Sequence, residues 1–193
     1  MAGAGSAFYV QRNGLGGSFV CKNRKERVPR MISMAAYRHE DIPRMTKIWN
    51  AVLADGVEFA RIEPFSAEAF ALFLEKQTAV NCLYADDMLA GFYILHPNDE
   101  GRRAHVANAS FAMDKAFRGK GLGKQLVAHC LDEAKRLGFR AIQFNAVVAD
   151  NAPALHIYRS LGFRDIGVVP NGFYRKDGTY CDLIMMYRSL LDS

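Results

Sequence analysis

The chain is short of several things, and each shortage excludes a class of protein. No run of 18 apolar residues occurs, so no segment reads as a membrane-spanning helix. The four cysteines (Cys21, Cys82, Cys130, Cys181) are scattered, without a C-x-x-C pair or a neighbouring histidine pair. That argues against a disulfide framework and against a zinc site, and for reduced thiols in a cytoplasmic protein. No metal is expected. Internal repeats are missing, which removes solenoids and propellers.

Charge excess is missing too, except at one end. Residues 1–30 hold six bases (Arg12, Lys22, Arg24, Lys25, Arg27, Arg30) against Glu26, which accounts for the whole net charge of +5. Residues 31–193 balance at 19 of each sign. Composition therefore gives no basic face for nucleic acid on the body of the chain. Residues 1–30 show neither helical nor alternating periodicity and read as a weakly ordered extension. A targeting peptide, a nucleic-acid-binding arm, or sequence ahead of a start at Met31 or Met34 are the alternatives. Gly14, Gly16 and Gly17 spoil an amphipathic presequence helix.

What is present is a domain over 31–193, long enough for a sizeable core. Residues 31–37 form a short apolar strand. Ile42, Met45, Ile48, Trp49 and Val52 repeat at helical spacing, and Asp55-Gly56 closes that helix. Ser66 caps a second helix running to about Gln77, with Phe70, Phe73 and Leu74 inward. Strands at 80–84 and 89–95 flank Asp86-Asp87, a hairpin signal. A strand over 103–113, a helix over 121–137 ended by Gly138, and a strand over 141–148 follow. Then come a short helix over 151–161 and two strands, 163–174 and 180–188, around an Asp177-Gly178 turn. The expected order is β-α-α-β-β-β-α-β-α-β-β.

At the start of the long helix stands Arg118-Gly119-Lys120-Gly121-Leu122-Gly123-Lys124. Glycines against a helix start turn backbone N–H groups toward a phosphate, with the helix dipole assisting. One residue separates the last two glycines, so this is not G-x-G-x-x-G. Arg118 and Gln125 stand where a Walker A loop needs Gly and Ser or Thr. Downstream runs Ile157-Tyr158-Arg159-Ser160-Leu161-Gly162-Phe163.

Together, the R-x-x-G-x-G run and the Tyr158…Leu161-Gly162-Phe163 run resemble the signature of the GNAT superfamily of acetyl-CoA-dependent N-acetyltransferases. The resemblance implies an α/β GNAT fold, with a mixed, mostly antiparallel sheet flanked by helices, and acetyl-CoA as cosubstrate. It implies that the amides of Gly121, Leu122, Gly123 and Lys124 grip the pyrophosphate. Gly119 and Lys120 complete the loop, and Arg118 and Lys124 add charge. Main-chain atoms of Phe111 and Met113, on the preceding strand, would hold the pantetheine arm and the thioester oxygen. Asn151 would cap the next helix and hold the pantetheine. Tyr158 would protonate the leaving thiolate, since a phenol with a pKa near ~10 stays protonated at neutral pH.

The general base is less legible. The strand before the loop has no carboxylate, which leaves His105, Glu58, or water alone. Asn108 and Asn145 fall inside otherwise apolar strand runs, where asparagine is unfavourable. With Asn151 and Tyr180-Cys181-Asp182, they resemble a GNAT branch that includes the fungal proline-analogue (azetidine-2-carboxylate) N-acetyltransferases. That implies contacts from Asn108 and Asn145 to a small amino- or imino-acid acceptor. The expected partner is a small-molecule amine, with no membrane and no nucleic acid; a homodimer is left open. A peptide or protein amine as acceptor, and a non-catalytic acyl-CoA-binding module of the same fold, are the competing readings.

Overall fold

Two neighbouring strands are apolar on both faces, and they set the architecture. β1 (Ile32–Ala36) pairs with β2 (Ala79–Ala85), and β2 with β3 (Met88–Pro97), all antiparallel. Along β2 and β3, Val80, Cys82, Tyr84, Phe92 and Ile94 enter one core, and Leu83, Ala85, Tyr93 and Leu95 the other. Such strands need cover on both sides. Asp86 and Asp87 join them with φ of 49° and 63°, the pair of positive angles that a type I′ hairpin turn demands. The computed structural model describes residue 29 and residues 31–191. The extension expected over 1–30 lies outside the described residues but for residue 29.

Cover on one face comes from α1 (Ile42–Asp55) and α2 (Ala67–Leu74). α1 buries Ile42, Met45, Ile48, Trp49 and Val52. Ser66 caps α2 by accepting the Ala69 N–H at 3.1 Å. This helix ends at Leu74, short of Gln77; the Gln77 N–H instead closes a turn on the Leu74 carbonyl. The other face is covered by α3 (Leu122–Arg136) and α4 (Ala152–Ser160), which bury Leu126, Val127, Cys130, Leu131 and Leu155.

β4 (Val106–Met113) continues the sheet antiparallel to β3. It starts later than expected, because Gly101–Arg103 form a 3-10 turn, which leaves His105 ahead of the strand. β5 (Ala141–Val148), β6 (Arg164–Tyr174) and β7 (Tyr180–Ser189) complete seven strands in the order β1-β2-β3-β4-β5-β7-β6. The β4–β5 junction is parallel, and it is brief: only Val106 with Ala141 and Ala107 with Ile142 are in register. Beyond them the strands part. β5 also carries a bulge against β7 between Phe144 and Val147, so Asn145 and Ala146 leave the ladder. The seam between β4 and β5 positions everything that follows. No helix among the described residues is long and apolar enough to cross a membrane.

Candidate active site

The seam opens into a cleft of about 1040 Å³, at the upper end of the roughly 300–1,000 Å³ usual for ligand sites. Strand parity decides which backbone groups face it. The Val106 carbonyl accepts from the Asn98 N–H (2.8 Å), and the Asp114 N–H donates to the Ala90 carbonyl (2.9 Å). Even-numbered residues of β4 therefore turn their amides and carbonyls toward β3, and Ala109, Phe111 and Met113 turn theirs toward the seam. The Ala109 N–H is taken by the Asn108 side-chain oxygen at 2.8 Å. The Met113 carbonyl accepts from Arg118 Nε at 3.3 Å. Phe111 is left presenting its amide and carbonyl to the cleft.

The glycine loop enters α3 beside the seam. Gly119 and Gly121 have φ of 76° and 75°, the left-handed region that a Cβ disfavours. Gly123 has a different reason: a Cβ there would stand 3.1 Å from Ile157 Cδ1 on α4. Gly121 caps α3 without a side-chain hydrogen bond. The first-turn amides thus have no capping side chain, the condition under which a helix start binds an anion. Leu122 is buried, so only its main chain can take part. Lys120 folds back onto the Ala116 carbonyl at 2.8 Å and over the Phe117 ring. Arg118 is tied to Asp55 at 3.4 Å as well as to Met113. Lys124 is exposed at the cleft.

Tyr158 comes from α4 and packs on Phe144 (ring centroids 4.5 Å apart) and Phe111 (6.1 Å). Burial pushes its phenol far up, and the Glu58 charge adds to the rise. Asn151 caps α4, its side chain accepting the Ala154 N–H at 3.2 Å, and it lines the cleft.

Glu58 reaches the same cleft from the loop after α1, where its neighbour Phe59 stacks on Trp49 at 4.3 Å and anchors that loop. Burial raises the Glu58 carboxyl above the ordinary carboxylate range; Arg118 pulls it down, and Asp55 pushes it up. His105, the other base considered from sequence, is exposed ahead of β4, with its ring 3.0 Å from the Arg102 carbonyl. It is not among the cleft residues.

Asn108 and Asn145 line the cleft together. Asn145 stands on the β5 bulge, the kind of irregularity that re-aims a side chain. Both already have local partners: Asn108 bonds its neighbour's amide, and Asn145 donates to Asn98 (2.7 Å) and accepts from Gln143 (2.9 Å). Sequence reasoning missed Asp150, Phe173 and Arg175, which also line the cleft. Arg175 lies two residues before Asp177-Gly178, but nothing in that turn signals where it folds.

A sheet split after a short parallel contact, with a glycine loop against the next helix at the split, defines an acyl-CoA-type transferase scaffold. The Acetyltransferase (GNAT) family matches residues 44–163, and the chain belongs to it. N-acetyltransferase aca1 of Schizosaccharomyces pombe is 35% identical over 82 residues, which is 42% of this chain and 39% of that protein. The chain thus matches well under half the length of that relative. A protein named as a phosphinothricin acetyltransferase, YwnH of Bacillus subtilis, is 29% identical over 157 residues, covering 79% of this chain and 95% of its own. The structure of a GCN5-related N-acetyltransferase from Kribbella flavida superposes with a TM-score of 0.77 and 32% identity, over 82% of this chain and 97% of that one.

Proposed function

We propose that the chain transfers the acetyl group of acetyl-CoA to the amine of a small amino or imino acid. The observation that carries this reading is the seam. One cleft receives the first-turn amides of α3, the unpaired amide and carbonyl of Phe111, and a half-buried carboxylate (Glu58) and phenol (Tyr158).

Each group fits one requirement of acyl transfer. Acetyl-CoA supplies an activated acetyl thioester and a pyrophosphate. The amides of Gly121 to Lys124 suit the pyrophosphate, and the main chain of Phe111, with the Met113 N–H, suits the pantetheine amides and the thioester oxygen. A fixed N–H aimed at that oxygen stabilises the negative charge that develops there. Glu58, ionised but with a raised pKa, takes a proton from the acceptor ammonium directly or through water. The Tyr158 hydroxyl gives a proton to the departing sulfur. Asn108 and Asn145 offer uncharged hydrogen bonds to the acceptor. The two asparagines, both at the cleft, support the narrower proline-analogue branch. The buried, unpaired thiols of Cys82, Cys130 and Cys181 accord with a reducing compartment such as the cytoplasm.

An acceptor screen with acetyl-CoA and a thiol-release readout tests this reading, using amino acids, imino acids, polyamines, aminoglycosides and peptides. Amino or imino acids should give the highest kcat/KM. Asn108→Ala and Asn145→Ala should lower it roughly 5- to 150-fold, the cost at ~1–3 kcal/mol of losing a hydrogen bond that the bound acceptor itself covers, with the KM for acetyl-CoA nearly unchanged. Should both substitutions instead weaken acetyl-CoA and leave acceptor preference untouched, the asparagines belong to the scaffold.

A further inference from the structure

Three arginine and lysine side chains line the cleft: Arg118, Lys124 and Arg175. Two belong to the α3 end, where Arg118 is committed to Asp55 and the Met113 carbonyl. Arg175 arrives from the turn between β6 and β7. We propose that Arg175 recognises a carboxylate on the acceptor, which takes the place now held by Asp150. This rests on the cleft being the acetyl-transfer site and assigns the group that reads the carboxylate of its amino- or imino-acid acceptor.

The guanidinium is held from behind by neutral partners on its own turn. One nitrogen donates to Thr179 Oγ1 at 3.1 Å and to the Tyr180 carbonyl at 3.3 Å. Thr179 is in turn fixed by Asp177, which accepts its amide at 3.0 Å and its hydroxyl at 2.6 Å. The turn is also fastened to the end of α1, where the Lys176 ammonium donates to the Ala54 carbonyl. The Arg175 side chain is consequently in place before any ligand arrives and is only 29% exposed. Binding then costs little further ordering.

Its remaining edge faces Asp150, in the loop between β5 and α4. Here the pair is asymmetric. Asp150 is 64% exposed, against 29% for its partner. A carboxylate so open to water gains little from pairing and regains hydration when displaced. An acceptor carboxylate inside the cleft would meet the same guanidinium with less water around it, where a planar fork matches two oxygens. Asn108 and Asn145, the other polar side chains proposed for the acceptor, carry no charge that would compete. A polycationic acceptor gains nothing at this end and is repelled by it.

The test compares each amino acid with its own carboxamide, for example proline with prolinamide and alanine with alaninamide, on the full chain. The quantity read is the acid-to-amide ratio of kcat/KM. Acids should be preferred at least tenfold by the unaltered protein, and Arg175→Gln should lower that ratio by tenfold or more. Arg175→Lys keeps the charge without the fork and should retain part of the preference. Asp150→Asn should raise the ratio or leave it unchanged, because it removes the competitor. A ratio near one in the unaltered protein, or one that Arg175→Gln leaves within twofold, overturns the proposal. So does a fall with Asp150→Asn matching that of Arg175→Gln, which would make the pair a structural clasp. Calorimetry of acid and amide binding to the CoA-loaded chain gives the same comparison without turnover. If no amine releases thiol, the transferase reading fails while this arm still decides Arg175. If amines react without regard to the carboxylate, only the Arg175 assignment falls.

Discussion

In the proposed reaction Tyr158 and Glu58 carry the proton transfers, and each role has a signature that packing alone does not produce. Tyr158→Phe keeps the ring on Phe144 and removes the donor. Turnover should fall ~10²–10⁴-fold, the usual range for a general acid, while acetyl-CoA affinity and thermal stability hold. A loss under tenfold, with chemistry shown to be rate-limiting, would make the tyrosine a packing residue. Glu58 works only when ionised, and its carboxyl is raised by burial. Rate should therefore climb with pH through a midpoint above the free-glutamate value of ~4.3. Glu58→Gln should erase that acidic limb. Arg118→Gln should move it to higher pH, since the Arg118 charge now holds the carboxyl down. A limb that stays put in both variants would exclude Glu58 as the base. Glu58 was visible in the sequence only as one acid in a loop. What singles it out is Phe59 stacked on Trp49, a contact between residues ten apart that no local pattern announces.

Among the elements, the start of α3 yields the sharpest expectation. Gly121→Asp and Gly123→Asp each place a carboxylate where the pyrophosphate should sit, and acetyl-CoA affinity should drop at least tenfold by calorimetry, ~1.4 kcal/mol or more. The two should differ in stability. A side chain at Gly121 enters open space at a strained φ of 75°, whereas one at Gly123 meets the Ile157 Cδ1 methyl at 3.1 Å, which must give by a few tenths of an ångström. Unchanged affinity in a folded variant would remove the loop from the cofactor site. The sequence made these elements legible wherever local chemistry decides them: the apolar stripe of α1, the Ser66 and Asn151 caps, the positive φ at Asp86 and Asp87. Legibility ended where tertiary packing decides. The polar stretch before β4 signals a turn over residues 97–101, but not that it continues through Arg103 and shortens the strand, and α2 stops at Leu74 although residues up to Gln77 tolerate helix. Asn108 and Asn145 stood out as polar breaks in apolar runs, but the β5 bulge that turns Asn145 into the cleft depends on its register with β7. Arg175 and Asp150 are 25 residues apart, and only the folded hairpin brings them together.

For the molecule as a whole, the β4–β5 contact of two register pairs leaves the sheet in two parts, joined elsewhere through α3 and its core. A ligand that bonds both lips of the seam ties these parts together. Acetyl-CoA at about a hundred times its Kd should stabilise the fold by ~2.7 kcal/mol, a rise in Tm of roughly 5–10 °C for a domain of this size. Differential scanning calorimetry reads this directly. Hydrogen exchange should slow at Phe111 and along the facing stretch of β5. A rise in Tm without added protection there would place the ligand elsewhere.

The same seam bears on the tempo of cofactor capture. A continuous sheet would have to break ladder hydrogen bonds before admitting a chain-like molecule, so entry would wait on a rare opening. Here the lips are already apart, and the Phe111 groups are turned into the cleft before any ligand arrives. Capture then becomes a single bimolecular encounter, its observed rate rising in proportion to cofactor concentration without a plateau. Any slow step in the cycle then lies after capture, in the acyl transfer itself or in the departure of products.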